Sequence, residues 1–114
     1  MSERQVKAAE VVKVLTEAKK RIATPDKWCR GSMHQSGGKS CAIGAIHKVA
    51  HHSTPLWVPA LHALEEACGE WPPSYNDRRS TKHADVLAKF DLAIEQQCKI
   101  VREEAEKDDS HLSD

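Results

Sequence analysis

Four segments of the chain carry apolar side chains at three- and four-residue steps, the spacing that places them on one face of an α-helix. In the clearest segment, Val11, Leu15, Ala18 and Ile22 recur with Lys and Glu residues opposite them. Glycines and prolines separate the segments, and the alternation typical of β-strands is not seen. The sequence therefore predicts an all-α fold, a compact single domain of about four helices.

Start and stop signals give approximate bounds for these helices: 3–22, 40–51, 54–68 and 81–102. Ser2 and Gln5 form a capping box before the first helix. The third begins at Thr54 or, if Pro59 delays it, at Val58, and ends at Gly69. The segments 25–40 and 69–79 are predicted as loops, residues 1–102 as the helical domain, and 103–114 as an acidic, disordered tail.

The chain has few large core-forming residues for its length. Val, Ile, Leu and Phe make up 21 of its 114 residues, so alanines must fill much of the core and the helices must pack closely. The sequence contains no run of about 20 apolar residues, the length that a membrane-spanning helix needs. The N-terminal segment is polar and does not resemble a secretory signal, so the four cysteines are expected to be reduced thiols. A cytoplasmic location is predicted, with no membrane partner.

Charge is balanced overall but divided between the two halves of the chain. Residues 1–53 carry ten Lys and Arg against four Asp and Glu, whereas residues 54–114 carry seven against thirteen. The halves can attract each other, either within one fold or in a homodimer. Alternatively, the basic half presents a face to an anionic partner. The helical spacing of the basic residues favours the first interpretation.

A glycine-rich run, residues 36–40, precedes the second predicted helix and contains a Gly-Lys-Ser sequence. It is not a phosphate loop of the nucleotide hydrolases, because Met33 stands where that motif needs its first glycine and no strand precedes it. A weaker prediction remains: Lys39 and Ser40, at a helix start, bind an anion through free backbone amides and the helix dipole.

Cys41 is a candidate nucleophile. A thiol in the first turn of a helix, beside Lys39, is expected to have its thiolate stabilised by the dipole and the cation. The side chains available as base or orienting group are His47, His51, His83, Asn76 and Asp77. No local signature connects them to the cysteine, and the pattern favours a small side chain packed at a helix start.

Structural zinc is a further alternative. His47 and His51 are four residues apart, which lets both rings reach one ion, and Cys29, His34 and Cys41 precede them. The sequence has no Cys-x-x-Cys pair, so this prediction is weaker than the binding hypothesis.

The segment from Trp71 to Arg79 is rich in turn-forming and polar residues. Asp77 or Ser80 is predicted to cap the last helix, and Asn76 to reach back to the start of the Cys41 helix. Alternatively, the aromatic, amide and guanidinium groups of this segment recognise a base or a phosphate. Gly44, inside a predicted helix, indicates that something packs or binds closely there.

Several of these residues also resemble a known family. The elements are Trp28 with Gly31, then residues 41–45 (Cys-Ala-Ile-Gly-Ala), then residues 75–77 (Tyr-Asn-Asp), and then apolar positions of the last helix. Together they are similar to domain of unknown function 6197, small bacterial and phage proteins in which Trp usually precedes the Asn-Asp pair. The resemblance implies no activity. It implies that Cys41, Gly44, Asn76 and Asp77 belong to one shared design, and it implies a phage or mobile-element context.

These observations predict a non-catalytic binding module for a small anionic, nucleotide-like ligand or a protein partner. No cofactor, metal or nucleic acid is expected. Interference with a host defence system follows from the resemblance only. The predicted binding residues are Trp28, Lys39, Ser40, Cys41, Gly44, Tyr75, Asn76, Asp77, Arg78 and Arg79. The alternatives are a cysteine-dependent enzyme with Cys41 as nucleophile and a zinc domain using His47, His51, Cys29 and Cys41.

Overall fold

The computed structural model describes residues 8–31, 33–51 and 53–112, except the side chains of residue 54 and of 105–112. The helices are α1 (Ala8–Arg21), α2 (Ala42–Ala50), α3 (Thr54–Cys68), α4 (Pro72–Asp77) and α5 (His83–Leu112). Two short strands, β1 (His34–Gln35) and β2 (Lys39–Ser40), lie between α1 and α2, after a single 3-10 turn at Pro25–Lys27. The protein is thus mostly α-helical, as the sequence predicts.

One hydrophobic core holds the longer helices together. Helix α1 packs against α5, α2 and α3, and α3 also packs against α5. Leu15, Ile46, Leu64 and Phe90 supply fully buried side chains at the centre. Alanines fill the remaining contacts, and those with no exposed surface are Ala18, Ala45, Ala50, Ala60 and Ala93. These small side chains let the helix axes approach closely, which explains how a chain with few large apolar residues forms a core.

The segment 69–79, predicted as a loop, contains the short helix α4. Pro72 and Pro73 occupy its first turn, where the missing N–H groups would have no helical partner and the fixed φ suits a helix. Pro72 and Asn76 are buried against the rest of the molecule. The loop prediction was wrong because the consecutive prolines begin a helix here instead of preventing one.

The glycine-rich run forms a β-hairpin that was not predicted. β1 and β2 are antiparallel, with His34 opposite Ser40 and Gln35 opposite Lys39. Gly37 and Gly38 lie in the turn at φ 82° and 80°, a left-handed conformation that favours glycine. Strands of two residues are too short to show alternation in the sequence. The run is therefore a hairpin turn that ends before α2 begins, and its glycines are not at the helix start.

The ends of the helices agree only partly with prediction. Helix α3 begins at Thr54, has Pro59 inside it and ends at Gly69. Helix α5 continues to Leu112, so its predicted end near Arg102 was wrong; the Glu, Ala and Lys residues that follow are strong helix formers. The disorder predicted for 103–114 stays a prediction. The helix start at residue 3 and its capping box lie outside the described residues. No helix in the described part of the chain is long and apolar enough to cross a membrane.

Gly44 is buried in α2 where the chain before β1 passes very close to the helix. A Cβ atom at this position would lie 2.1 Å from the carbonyl oxygen of Met33 and 2.9 Å from its carbonyl carbon. Both atoms belong to the backbone, so neither can rotate away. The close approach expected at Gly44 is thus made by another segment of the same chain.

Replacing Gly44 with Ala should destabilise the protein, although Ala is the better helix former. We expect the free energy of unfolding to fall by about 1–3 kcal/mol, because the added methyl group overlaps the Met33 carbonyl. Urea denaturation measures the change. Ala88→Gly, at an exposed position of α5, is the control: there the Gly form should be the less stable one. An unchanged or increased stability of Gly44→Ala would contradict the close approach.

Candidate functional site

Asn76 lies at the centre of the residues selected from the sequence, and its side chain has no exposed surface. Its Oδ1 accepts hydrogen bonds from Trp28 Nε1 at 2.7 Å and from the backbone N of Ala42 at 3.1 Å. Its Nδ2 donates to the carbonyl oxygen of Cys29 at 3.1 Å and to Asp77 Oδ1 at 3.0 Å. The predicted link from Asn76 to the start of the Cys41 helix is confirmed. We call this set of contacts the Asn76 junction.

Asp77 belongs to the junction and does not cap α5. Its Oδ1 accepts a hydrogen bond from the backbone N of Gly31 at 2.8 Å as well as the one from Asn76. At the start of α5 the backbone N of Lys82 instead donates to Asp85 Oδ2 at 2.8 Å. The predicted cap from Asp77 or Ser80 was therefore wrong. Asp77 sits at the end of α4, which turns its carboxylate towards the segment after Cys29.

Cys41 is the N-cap of α2, and only 4% of its surface is exposed. Its Sγ accepts a hydrogen bond from the backbone N of Gly44 at 3.4 Å, and its own N donates to the Met33 carbonyl at 3.1 Å. The amide of Ala42 is held by Asn76. The backbone amides of Ala42 and Gly44, which were expected to bind an anion, thus donate hydrogen bonds to groups of the protein itself. The prediction of free amides at this helix start was wrong.

Burial also reverses the expected chemistry of the Cys41 thiol. Removal from water raises its pKa, and the hydrogen bonds from the Gly44 and Ile43 amides only partly oppose this effect. Burial likewise raises the pKa of Cys29, whose amide bonds to Ser40 on the neighbouring segment. The stabilised thiolate predicted for Cys41 was wrong, and the side chain is a packed thiol at a helix start.

The remaining predicted residues are distributed over separate surfaces. Arg78 pairs with Glu70 at 2.5 Å and lies 6.0 Å from the centre of the Tyr75 ring, beside which Lys89 also lies. Arg79 is exposed. Trp28 is covered by the Arg30 guanidinium, which lies 4.7 Å from its ring centre. Arg78 is thus engaged with Glu70, and the Tyr75 ring with Arg78 and Lys89.

The hairpin forms an open depression of about 600 Å³ lined by His34, Gln35, Ser36 and Lys39. We call it the hairpin depression. Lys27 lies beside it, because its Nζ is 4.0 Å from the position of a Cβ on Gly38. Of the lining residues, only Lys39 was predicted as a binding residue. Nothing in the helical periodicity distinguishes His34, Gln35 and Ser36, which become neighbours of Lys39 through strand pairing.

Three histidine rings continue from this depression along α2. The ring centres of His34 and His47 are 6.1 Å apart, those of His47 and His51 are 5.4 Å apart, and Trp57 meets His47 edge-on at 6.0 Å. Burial, followed by the charges of Lys48 and His47, lowers the pKa of His34. We call these four rings the ring row. Its order follows from the i, i+4 spacing on α2 and from the position of β1 beside that helix.

The zinc hypothesis required a cluster of ligands. His47 and His51 are neighbours, whereas Cys29 and Cys41 are buried beside the Asn76 junction. In the part of the chain that the structure describes, no three His, Cys, Asp or Glu side chains form a group able to hold a metal ion.

The sequence model of the family of unknown function DUF6197 matches residues 6–96. The chain belongs to this family. No curated protein and no solved structure matches it at a significant level. In this DUF6197 protein, Trp28, Asn76 and Asp77 meet at the Asn76 junction, and Gly44 makes the close contact with the Met33 backbone. In this structure, Cys41, Gly44, Asn76 and Asp77 are thus connected through packing and hydrogen bonding.

Replacing Asn76 with Ala should lower the free energy of unfolding by about 3 kcal/mol or more, because buried groups of Trp28, Cys29 and Ala42 lose their partner. Asp77→Ala serves as the comparison. It removes an exposed carboxylate bonded to Gly31 and should cost about 1 kcal/mol. Chemical denaturation of both variants measures the difference. Equal and small losses would contradict a structural role for Asn76.

Native-state alkylation tests the reactivity of the cysteines. Iodoacetamide at neutral pH should modify Cys98, which is partly exposed, before the buried Cys41. Cys68 should also react slowly, since burial raises its pKa to about 11. Mass spectrometry of peptides after timed labelling gives the order, and labelling in urea shows that all sites can react once unfolded. Preferential labelling of native Cys41 would support the cysteine-enzyme alternative instead.

Proposed function

We propose that this protein is a non-catalytic binding module for a small anionic ligand, and that the hairpin depression receives the anion. The supporting observation is the set of cations around one open, polar concavity. Lys39 lines it, Lys27 lies beside its turn, and Lys48 is close enough to His34 to lower the pKa of that ring. The Asp26 carboxylate, near Lys27 and Lys39, offsets part of this charge.

The lining groups suit a phosphate or a similar oxyanion. The ammonium of Lys39 donates hydrogen bonds, and the Gln35 amide and Ser36 hydroxyl lie in the same depression. The contacts come from side chains, because the amides of Ala42 and Gly44 are already bonded within the protein. The proposal thus keeps the anionic ligand predicted from the sequence and moves its site from the helix start to the hairpin.

The ring row supports a nucleotide-like ligand. His34 belongs both to the depression and to the row, so a phosphate near Lys39 would place an attached group towards His34, His47 and Trp57. Planar bases stack on such rings with little dependence on sequence. This argument favours a nucleoside phosphate over inorganic phosphate.

The thiol chemistry favours binding over catalysis. Cys41 is almost fully buried and its pKa is raised, so it lacks the exposed thiolate that nucleophilic catalysis requires. A protein partner is the other form of the binding hypothesis, and a phage context with interference in host defence rests on the resemblance alone.

Replacing Lys39 with Gln should weaken the binding of ATP about tenfold, because a cation that faces the anion is removed. Isothermal titration with ATP and, separately, with inorganic phosphate measures the affinities. Lys20→Gln, which removes an exposed cation from α1, is the matched control and should bind like the wild type.

ATP binding that is tighter than phosphate binding would support the contribution of the ring row. No binding of either probe, or equal losses in Lys39→Gln and in the control, would contradict the proposal.

A further inference from the structure

Helix α5 carries two large apolar side chains that remain partly exposed, Leu92 and Ile100, and Ile100 also lines an open groove with Val11 and Ala63. Leu92 is 36% exposed and Ile100 is 39% exposed, while Phe90 and Ala93 on the inner side are fully buried. Gln96 lies midway between Leu92 and Ile100 and is also exposed. Single exposed leucines are common on protein surfaces. What distinguishes this face is the arrangement of charges at its two ends.

The face is self-complementary about Gln96. Leu92 lies four residues before Gln96 and Ile100 four residues after it, while Lys89 lies seven before and Glu103 seven after. These steps correspond to one and two helical turns, so the five side chains follow one stripe along the helix. The stripe has a cation at one end, a carboxylate at the other and apolar groups between.

We propose that two copies of the protein pair through this face of α5, with the helices antiparallel and the twofold axis at Gln96. Residues equally distant from the axis then oppose each other. Leu92 packs on Ile100 of the partner subunit, and Lys89 faces Glu103 of the partner subunit. The amide of Gln96 meets its own symmetry mate, where it both donates and accepts a hydrogen bond.

Charge complementarity favours a second copy over an unrelated partner. Binding of an unrelated protein would not require the two ends of the stripe to match each other. Here they do match, because the cation at one end is complementary to the carboxylate at the other end. The Lys89 ammonium lies 5.6 Å from the Tyr75 ring within its own subunit, so it is already held at the edge of the face. From Lys89 to Glu103 the stripe spans about 21 Å of helix, enough for a short coiled-coil contact.

Sedimentation velocity of the full chain over a wide range of concentration tests this pairing. We expect a monomer–dimer equilibrium, which Leu92→Asp abolishes by placing a charge in the apolar contact. Lys89→Glu and Glu103→Lys should each raise the dissociation constant about tenfold, because like charges then oppose each other. The double variant carrying both reversals restores opposite charges and should recover the wild-type constant.

Arg102→Glu is the matched control, since Arg102 lines a groove with Ala9 and Val12 that is separate from the groove of Ile100. It should dimerise like the wild type, and circular dichroism should show that every variant remains folded. A monomer at all concentrations would overturn the proposal. So would a dimer that survives Leu92→Asp, or one that the double reversal does not restore. None of these outcomes depends on the hairpin depression, so the two proposals are tested separately.

Discussion

The arrangement of the irregular part of the chain depends on one buried amide. Asn76 donates two hydrogen bonds and accepts two, and its partners belong to the segment around Trp28, to the start of α2 and to Asp77. A buried amide is costly unless its hydrogen-bonding groups are satisfied, so this side chain is compatible with few arrangements of the surrounding backbone. It thereby determines where the hairpin segment lies relative to α2.

The neighbouring contacts follow from the same constraint. The Met33 carbonyl accepts a hydrogen bond from the backbone N of Cys41 and lies in close contact with Gly44. The Asp77 carboxylate accepts a hydrogen bond from the backbone N of Gly31. Most of the residues that the sequence suggested as a binding site therefore have structural partners inside the protein. The functional surface is better sought where side chains remain exposed, at the hairpin depression and along α5.

The basic residues of the first half of the chain lie in two different surroundings in the structure. Lys19 of α1 and Asp91 of α5 pair at 2.5 Å, which agrees with attraction between the basic and acidic halves within one fold. Lys39 instead lines the hairpin depression, Lys27 lies beside its turn, and Lys48, in the last turn of α2, lowers the pKa of His34 by its charge. The Lys19–Asp91 pair thus agrees with the first interpretation, whereas a basic face for an anionic partner stays a prediction.

The sequence by itself determined the features that depend on neighbours along the chain. The helical periodicity of α1, the end of α3 at Gly69 and the inward position of Phe90 all follow from local spacing. The link from Asn76 to the Cys41 helix was also predictable, because a short amide between prolines and a helix must satisfy backbone groups nearby. Only the tertiary structure decided that the amides at the start of α2 are hydrogen-bonded within the protein and that the pKa of Cys41 is raised. It also decided that a hairpin forms around Gly37 and that His34 lies beside Lys39. Each of these depends on burial or on contacts between distant segments, and local residue spacing carries no information about either.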